Sequence, residues 1–121
     1  MKIYVASKVK HAPMWVAVRQ YLLPKGHEIV STWIDEAGEG QTTSYTELAR
    51  RCIDEISACD VLILFCEPGD LLKGALIEVG AALALGKKVA VVGDCESLSR
   101  VFKAHDLWSE HDSILDILLS L

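Results

Sequence analysis

The sequence predicts an α/β protein in which a five-stranded parallel sheet lies between two layers of helices. Three observations favour this class: strand-like runs alternate with helical patterns, the connections are short, and residues 61–65 (VLILF) are all apolar. An uninterrupted apolar strand is typical of the centre of a parallel sheet, because helices cover both of its faces. Repeated β–α units with right-handed crossovers then predict a flavodoxin-like three-layer sandwich.

The elements before the central strand are predicted from turn signals and helical spacing. Proline is tolerated in the first turn of a helix, and Ser44-Tyr45-Thr46-Glu47 has the capping-box pattern that begins one. Arg51 and Glu55 stand four residues apart on the outer face of that second helix, which predicts an ion pair between them. The predicted elements are a strand at 2–6, a helix from Pro13 to a break at Pro24 and Gly26, a strand at 27–31, and a helix from Ser44 onward.

The elements after the central strand continue the alternation. They are a helix that carries Glu78, a strand at 88–92, a short helix at 98–104, a weak strand at 106–108 and a terminal helix at 113–119. No internal repeat or interdomain linker interrupts the pattern. We therefore expect a single domain over residues 1–121.

Composition excludes several classes of function. A net charge of −5 leaves no basic stripe for a nucleic-acid polymer, and no apolar run reaches the roughly 18 residues of a membrane span. The four cysteines (Cys52, Cys59, Cys66 and Cys95) show no zinc-ligand spacing and are interpreted as free thiols of a cytoplasmic protein. Neither a dinucleotide fingerprint nor a P-loop is present, so no metal or organic cofactor is predicted.

Glu78 is the most informative residue of the chain. It is the one ionisable group in the thirteen residues 74–86 (GALIEVGAALALG). Burying a carboxylate among alanine, leucine and valine is costly unless it has a partner or a task. The helix that carries Glu78 follows the central strand, at the sheet edge where α/β folds bind ligands.

The loops after the predicted strands carry groups that suit a nucleoside or nucleotide. A flat aromatic ring can stack on a base, and carboxylates and lysines can bind its edges and a phosphate. Gly74 allows close approach to a helix start, where free N–H groups favour anions. The candidate binding residues are Ser7, Lys8, Trp33, Asp35, Asp70, Lys73 and Gly74, and each of the charged ones is also compatible with a solvated loop.

Four segments together resemble the nucleoside 2-deoxyribosyltransferase superfamily, which includes 2′-deoxynucleoside 5′-phosphate N-hydrolases and phage and bacterial relatives. They are KIYVAS, GHEIVSTW, ACDVLILF and GALIEVGAALALGKKV, in that order over most of residues 1–92. The resemblance implies that Glu78 is a nucleophile that forms a glycosyl-enzyme ester, and that Tyr4 orients its carboxylate. It implies cleavage or transfer at the N-glycosidic bond, which chemically needs a carboxylate and a route for protonating the base.

The chain departs from the family pattern at the position of the residue that contacts or protonates the base. The family commonly has Asp eight residues before the Asp of its ACD-type segment, where this chain has Cys52. The leaving-group acid would then be Asp35, Glu36 or Asp70, or be missing. A second function class is therefore a non-catalytic nucleotide-binding module. A phosphoribohydrolase is a weaker third, because its consecutive glycines are absent.

The resemblance also implies association of subunits. Relatives of this fold often complete each pocket with residues from a neighbour, and the helix after Gly74 is apolar almost all round. We expect a homodimer or a higher homo-oligomer.

Overall fold

The computed structural model describes residues 1–36, 44–95, 98 and 100–121. In these ranges one parallel sheet has the strand order β2-β1-β3-β4-β5. This is the flavodoxin-like order, so the predicted fold class is confirmed. The strands are β1 (Lys2–Ala6), β2 (Glu28–Ile29), β3 (Val61–Phe65), β4 (Lys88–Val92) and β5 (Trp108–His111).

Helices cover both faces of this sheet. They are α1 (Ala12–Leu22), α2 (Tyr45–Ala58), α3 (Gly74–Ala84), α4 (Arg100–Lys103) and α5 (Ile114–Ser120). Alternate residues of a strand point to opposite faces. Tyr4 therefore packs with Ile56 of α2 and Val79 of α3, whereas Ile3 packs on the other face with Trp15 of α1 and Ile117 of α5.

The second strand is shorter than the predicted 27–31 run. Val30 still donates a backbone hydrogen bond to the Ile3 carbonyl (2.8 Å). At the next position the Val5 amide donates to the Ser31 hydroxyl oxygen (2.9 Å) instead of to a strand carbonyl. The chain then turns away into a 3₁₀ turn, Thr32–Asp35, which places Trp33 beside the sheet edge.

Two further expectations differ from the structure. Strand β5 begins at Trp108, later than the predicted 106–108, because a turn held by the Leu107 amide and His105 Nδ1 precedes it. Arg51 pairs with Glu36 instead of Glu55, and Glu55 accepts hydrogen bonds from Thr32. These longer-range contacts tie the 3₁₀ turn to α2.

The capping prediction is confirmed, because the Ser44 hydroxyl oxygen accepts a hydrogen bond from the Glu47 amide (3.2 Å). Helix α2 thus begins at Tyr45 with one of its free amides satisfied. None of the helices in the described ranges is long and apolar enough to cross a membrane.

Candidate active site

A cavity of about 690 Å³ opens at the carboxyl ends of β1 and β3, between α2 and α3. Its walls come from the loop after β1, the 3₁₀ turn, one face of α2, the loop after β3 and the first turns of α3. The lining residues are Ser7, Lys8, Val9, Lys10, Trp33, Leu48, Ala49, Cys52, Ile53, Leu71, Leu72, Lys73, Gly74, Ala75, Ile77 and Glu78. Most of this wall is apolar, as is usual for a site that takes a small organic ligand.

Glu78 and Tyr4 are in contact at the inner end of this cavity. The Tyr4 side chain is fully buried, and its hydroxyl donates a hydrogen bond to Glu78 Oε2. Strand β1 presents Tyr4 to the α3 side of the sheet, and the position of Glu78 in the second turn of α3 brings its carboxylate to the same point. Two residues 74 positions apart in sequence are thereby joined by the crossover topology.

The pKa of Glu78 is raised to about 7, mainly by burial and to a smaller extent by the negative charge of Glu55. The hydrogen bond from Tyr4 acts in the opposite direction, because it stabilises the carboxylate. Burial, together with the neighbouring Glu78 carboxylate, raises the pKa of Tyr4 far above its ordinary range. Tyr4 therefore remains a protonated donor, while Glu78 changes charge near neutral pH.

Cys52 is the third residue of this contact. Its thiol lies within hydrogen-bonding reach of Tyr4 and faces the cavity from α2. Burial raises the pKa of this thiol, so it is protonated at neutral pH. The sequence identified Cys52 as a departure from the family pattern, and the structure places it directly beside Tyr4.

We expect Cys52 to be the first thiol that iodoacetamide modifies, because it is half-buried and lines the cavity, whereas Cys59, Cys66 and Cys95 are buried. The rate should increase with pH on the alkaline side, since the thiolate is the reactive form and burial raises the pKa of this thiol. Peptide mass spectrometry with time would measure this, with Cys52→Ser as the control that loses the early adduct. Earlier modification of Cys59 than of Cys52 would contradict it.

Five of the predicted binding residues line the cavity: Ser7, Lys8, Trp33, Lys73 and Gly74. Internal hydrogen bonds hold two of them in place. The indole N–H of Trp33 donates to the Val5 carbonyl (2.8 Å), and the Ser7 hydroxyl accepts from the indole N–H of Trp15 (2.8 Å). The Trp33 ring is thus oriented by the sheet backbone.

Asp35 and Asp70, the other two predicted binding residues, do not line the cavity. Arg19 of α1 donates to both oxygens of Asp35 (2.9 Å each), and this lowers the pKa of Asp35. Asp70 is buried against His11 and Lys10, and the hydrogen bond from His11 is the largest cause of its lowered pKa. Both carboxylates are therefore held as anions by partners within the chain.

The candidate leaving-group acids Asp35, Glu36 and Asp70 are thus all paired with other side chains, and none of them lines the cavity. Among the described residues, Glu78 is the one carboxylate on its wall. Glu39, a third acidic residue of the sequence after Asp35 and Glu36, lies outside the described residues. The sequence did not predict the apolar wall formed by Leu48, Ile53 and Ile77, because helical spacing alone does not show which face meets a cavity.

One group in the described ranges brings metal-ligand side chains together. Donor atoms of His11, Glu67 and Asp70 lie within 4.8 Å of one another. The ammonium of Lys10, however, is 2.9 Å from Asp70 Oδ1 and 3.8 Å from Glu67 Oε2. A cation of the chain itself therefore already lies against both carboxylates.

The model of the family described as nucleoside 2-deoxyribosyltransferase matches residues 3–107. The chain belongs to this family. Membership of this family places the protein among enzymes that act on the nucleoside N-glycosidic bond. No curated protein sequence matches the chain.

Three solved structures share its fold. The CMP N-glycosidase of Clostridium botulinum is 20% identical over all of both chains, with a TM-score of 0.70. The 2-deoxyribosyltransferase of the psychrotolerant Bacillus psychrosaccharolyticus is 22% identical over 97% of this chain and 90% of its own, with a TM-score of 0.71. A Leishmania mexicana 2-deoxyribosyltransferase is 26% identical over 75% of this chain and 63% of its own, with a TM-score of 0.61.

Proposed function

We propose that this family member cleaves the N-glycosidic bond of a nucleoside, a deoxynucleoside or a nucleoside 5′-monophosphate, or transfers its glycosyl group, with Glu78 as the nucleophile. The observation that carries this proposal is the hydrogen bond from Tyr4 to Glu78 at the inner end of the cavity. An ionised carboxylate beside an oxocarbenium-like anomeric carbon can form a glycosyl ester as the base departs. Water, or a second base, then attacks the anomeric carbon and releases Glu78.

Tyr4 orients the nucleophile in this mechanism. Because its hydroxyl holds Oε2, we assign the attack to Oε1. A donor to one oxygen also restricts rotation of the carboxylate, so less ordering is needed when the substrate binds. Tyr4 keeps its own proton throughout, consistent with its raised pKa.

The rest of the cavity supports binding of a nucleoside or nucleotide. The fixed ring of Trp33 offers a flat face for a base, and the apolar side of α2 (Leu48, Ala49, Ile53) offers further contact. We infer that the sugar or a 5′-phosphate binds to Ser7, Lys8, Lys73 and the backbone at Gly74. Helix α3 begins at Gly74, and its free amides favour an anion. Attack and its orientation are thus assigned to Glu78 and Tyr4, and the departing base takes its proton from water; no metal or organic cofactor is invoked.

Cys52 favours a second candidate function. A protonated thiol of raised pKa is a weak source of a proton for a departing base. A chain that kept the cavity and lost the base-side acid would bind nucleotides without cleaving them.

Chromatographic base release from ribo- and deoxyribonucleosides and their monophosphates tests the proposal, with wild type beside Glu78→Ala. Release that disappears in the variant supports the glycosyl-enzyme route, and adding a second free base distinguishes transfer from hydrolysis. Wild type and variant that bind nucleotides equally and are equally inert would support the binding module instead.

We propose that the single domain of residues 1–121 forms a homodimer or a higher oligomer. Large apolar side chains at the mouth of the cavity are exposed, with Ile77 at 71%, Leu71 at 67% and Ile53 at 42%. Covering such a patch with a second copy would remove it from water. A monomer mass by light scattering at micromolar concentration would contradict this prediction.

We also propose a cytoplasmic location. All four cysteines lie in the described ranges and none forms a disulfide. Reduced thiols are the usual state of cysteines in that compartment.

A further inference from the structure

Two neighbouring loops contribute to the cavity lining. Rim loop 1 is residues 7–11, after β1, and it contributes Ser7, Lys8 and Lys10 to the lining. Rim loop 2 is residues 67–73, after β3, and it contributes Leu71, Leu72 and Lys73. The relative position of these loops therefore determines where the lysines stand around a ligand.

Asp70 connects the two loops. Its carboxylate belongs to rim loop 2 and is almost fully buried, with 1% of the side chain exposed. From rim loop 1, His11 Nε2 lies 2.9 Å from Oδ2, and Lys10 Nζ lies 2.9 Å from Oδ1. From its own loop, the Glu67 amide donates to Oδ2 (3.0 Å).

The partners of Asp70 differ in how firmly they are held. His11 is buried and packs edge-on against Phe65, with ring centroids 4.9 Å apart. Lys10 is the exposed partner, because 59% of its side chain is exposed, and it also lines the cavity. A buried carboxylate that holds an exposed ammonium restricts where that charge can lie.

We propose that Asp70 is a positioning residue that ties rim loop 1 to rim loop 2 and holds Lys10 at the cavity mouth, and that it thereby sets the affinity for substrate. This inference rests on the proposed function of the same cavity. It assigns Asp70 a role different from direct contact with the ligand.

The proposal predicts an effect on binding more than on bond cleavage. Glu78 lies on α3 and Tyr4 inside β1, so neither belongs to a rim loop. Loosening the loops should weaken the hold on the substrate while leaving the pair that breaks the bond in place. If Asp70 had only a structural role, its substitution would lower the melting temperature. KM, measured at a temperature well below that of melting, would then be unchanged.

The test is Asp70→Asn, which keeps the shape of the side chain and removes its charge. The substrate is whichever nucleoside or monophosphate releases its base fastest in wild type. We expect its KM to rise about tenfold and kcat to change less than about threefold. The matched control is Asp35→Asn, which breaks an ion pair with Arg19 away from the cavity. Its KM should stay within twofold of wild type.

Lys10→Met provides a second variant, in which the replaced side chain is itself exposed. It should raise KM in the same direction as Asp70→Asn. The double variant should be no worse than Asp70→Asn alone, since both changes remove the same contact. Should Asp70→Asn fail to fold, an unchanged KM in Lys10→Met overturns the proposal.

Binding separates this inference from the proposed function. Titration calorimetry would measure the affinity of the Glu78→Gln protein, with and without Asp70→Asn, for two ligands. These are the 5′-monophosphates of 2′-deoxyadenosine and 2′-deoxycytidine. Tenfold weaker binding supports the role of Asp70 even if no base is ever released. Equal affinity with and without Asp70→Asn, or no binding to the Glu78→Gln protein, overturns it.

Discussion

Replacing Glu78 with glutamine is expected to lower the rate of base release by about 10³-fold or more. The amide has nearly the shape of the carboxylate but no negative charge with which to attack the anomeric carbon. The measurement is a single-turnover assay by chromatography at pH 8, where Glu78 of the wild type is ionised. Release above one tenth of the wild-type rate would contradict a nucleophilic role.

Stability provides the control for this variant. The folded-state pKa of Glu78, about 7, lies above its ordinary value of 4.5. The stability that the protonated group contributes is therefore complete below pH 4.5 and is lost as the pH rises through about 7. Glutamine avoids this loss, which amounts to about 3 kcal/mol at most.

We therefore expect the melting temperature of Glu78→Gln to equal that of wild type near pH 4.5 and to exceed it at pH 8. Calorimetric scans at both pH values would measure the difference. A variant that is inactive yet more stable at pH 8 has lost activity through chemistry and not through unfolding. A variant that is less stable at pH 8 would contradict the burial of the Glu78 charge.

The central fold and the importance of Glu78 were predictable because their signals are local and strong. The VLILF run has the composition of a strand covered on both faces, and Ser44 begins a helix through a bond three residues away. Glu78 is the one ionisable residue in an apolar helix. Because burying a carboxylate there is costly, the sequence predicts that it has a partner or a function. The contact of Glu78 with Tyr4 was implied by the family resemblance.

The roles of Asp35 and Asp70 were not predictable from local sequence. Each follows a strand, at the edge where ligands bind, and each has a partner from α1 or from rim loop 1. Arg19 and His11 precede them by 16 and 59 positions, and no periodicity links the members of such pairs. A charged loop residue can thus serve the fold while it occupies the position of a ligand contact.

Tyr4→Phe is expected to move the pH dependence of catalysis. The Tyr4 hydroxyl stabilises the charged form of Glu78, so its removal raises the pKa of that carboxyl above about 7. Hydrogen bonds to charged groups are worth about 1.5–3 kcal/mol, or roughly one to two pH units. The acid limb of kcat/KM should therefore shift upward by about that amount, with a loss of about 10- to 100-fold at pH 6.

The contribution of Tyr4 to orientation is separable from its effect on charge. At a pH well above the acid limbs of wild type and Tyr4→Phe, Glu78 is ionised in both proteins. Any difference in kcat/KM that persists there measures the loss of orientation alone. Profiles of kcat/KM from pH 5 to 10 distinguish the two contributions. The control is Tyr21→Phe, because Tyr21 is an exposed tyrosine of α1 that does not line the cavity. Coincident acid limbs in wild type and Tyr4→Phe would show that the hydroxyl does not tune Glu78. Tyr4 would then act on the carboxylate through geometry only, and the titration of the nucleophile would follow from its burial and from Glu55.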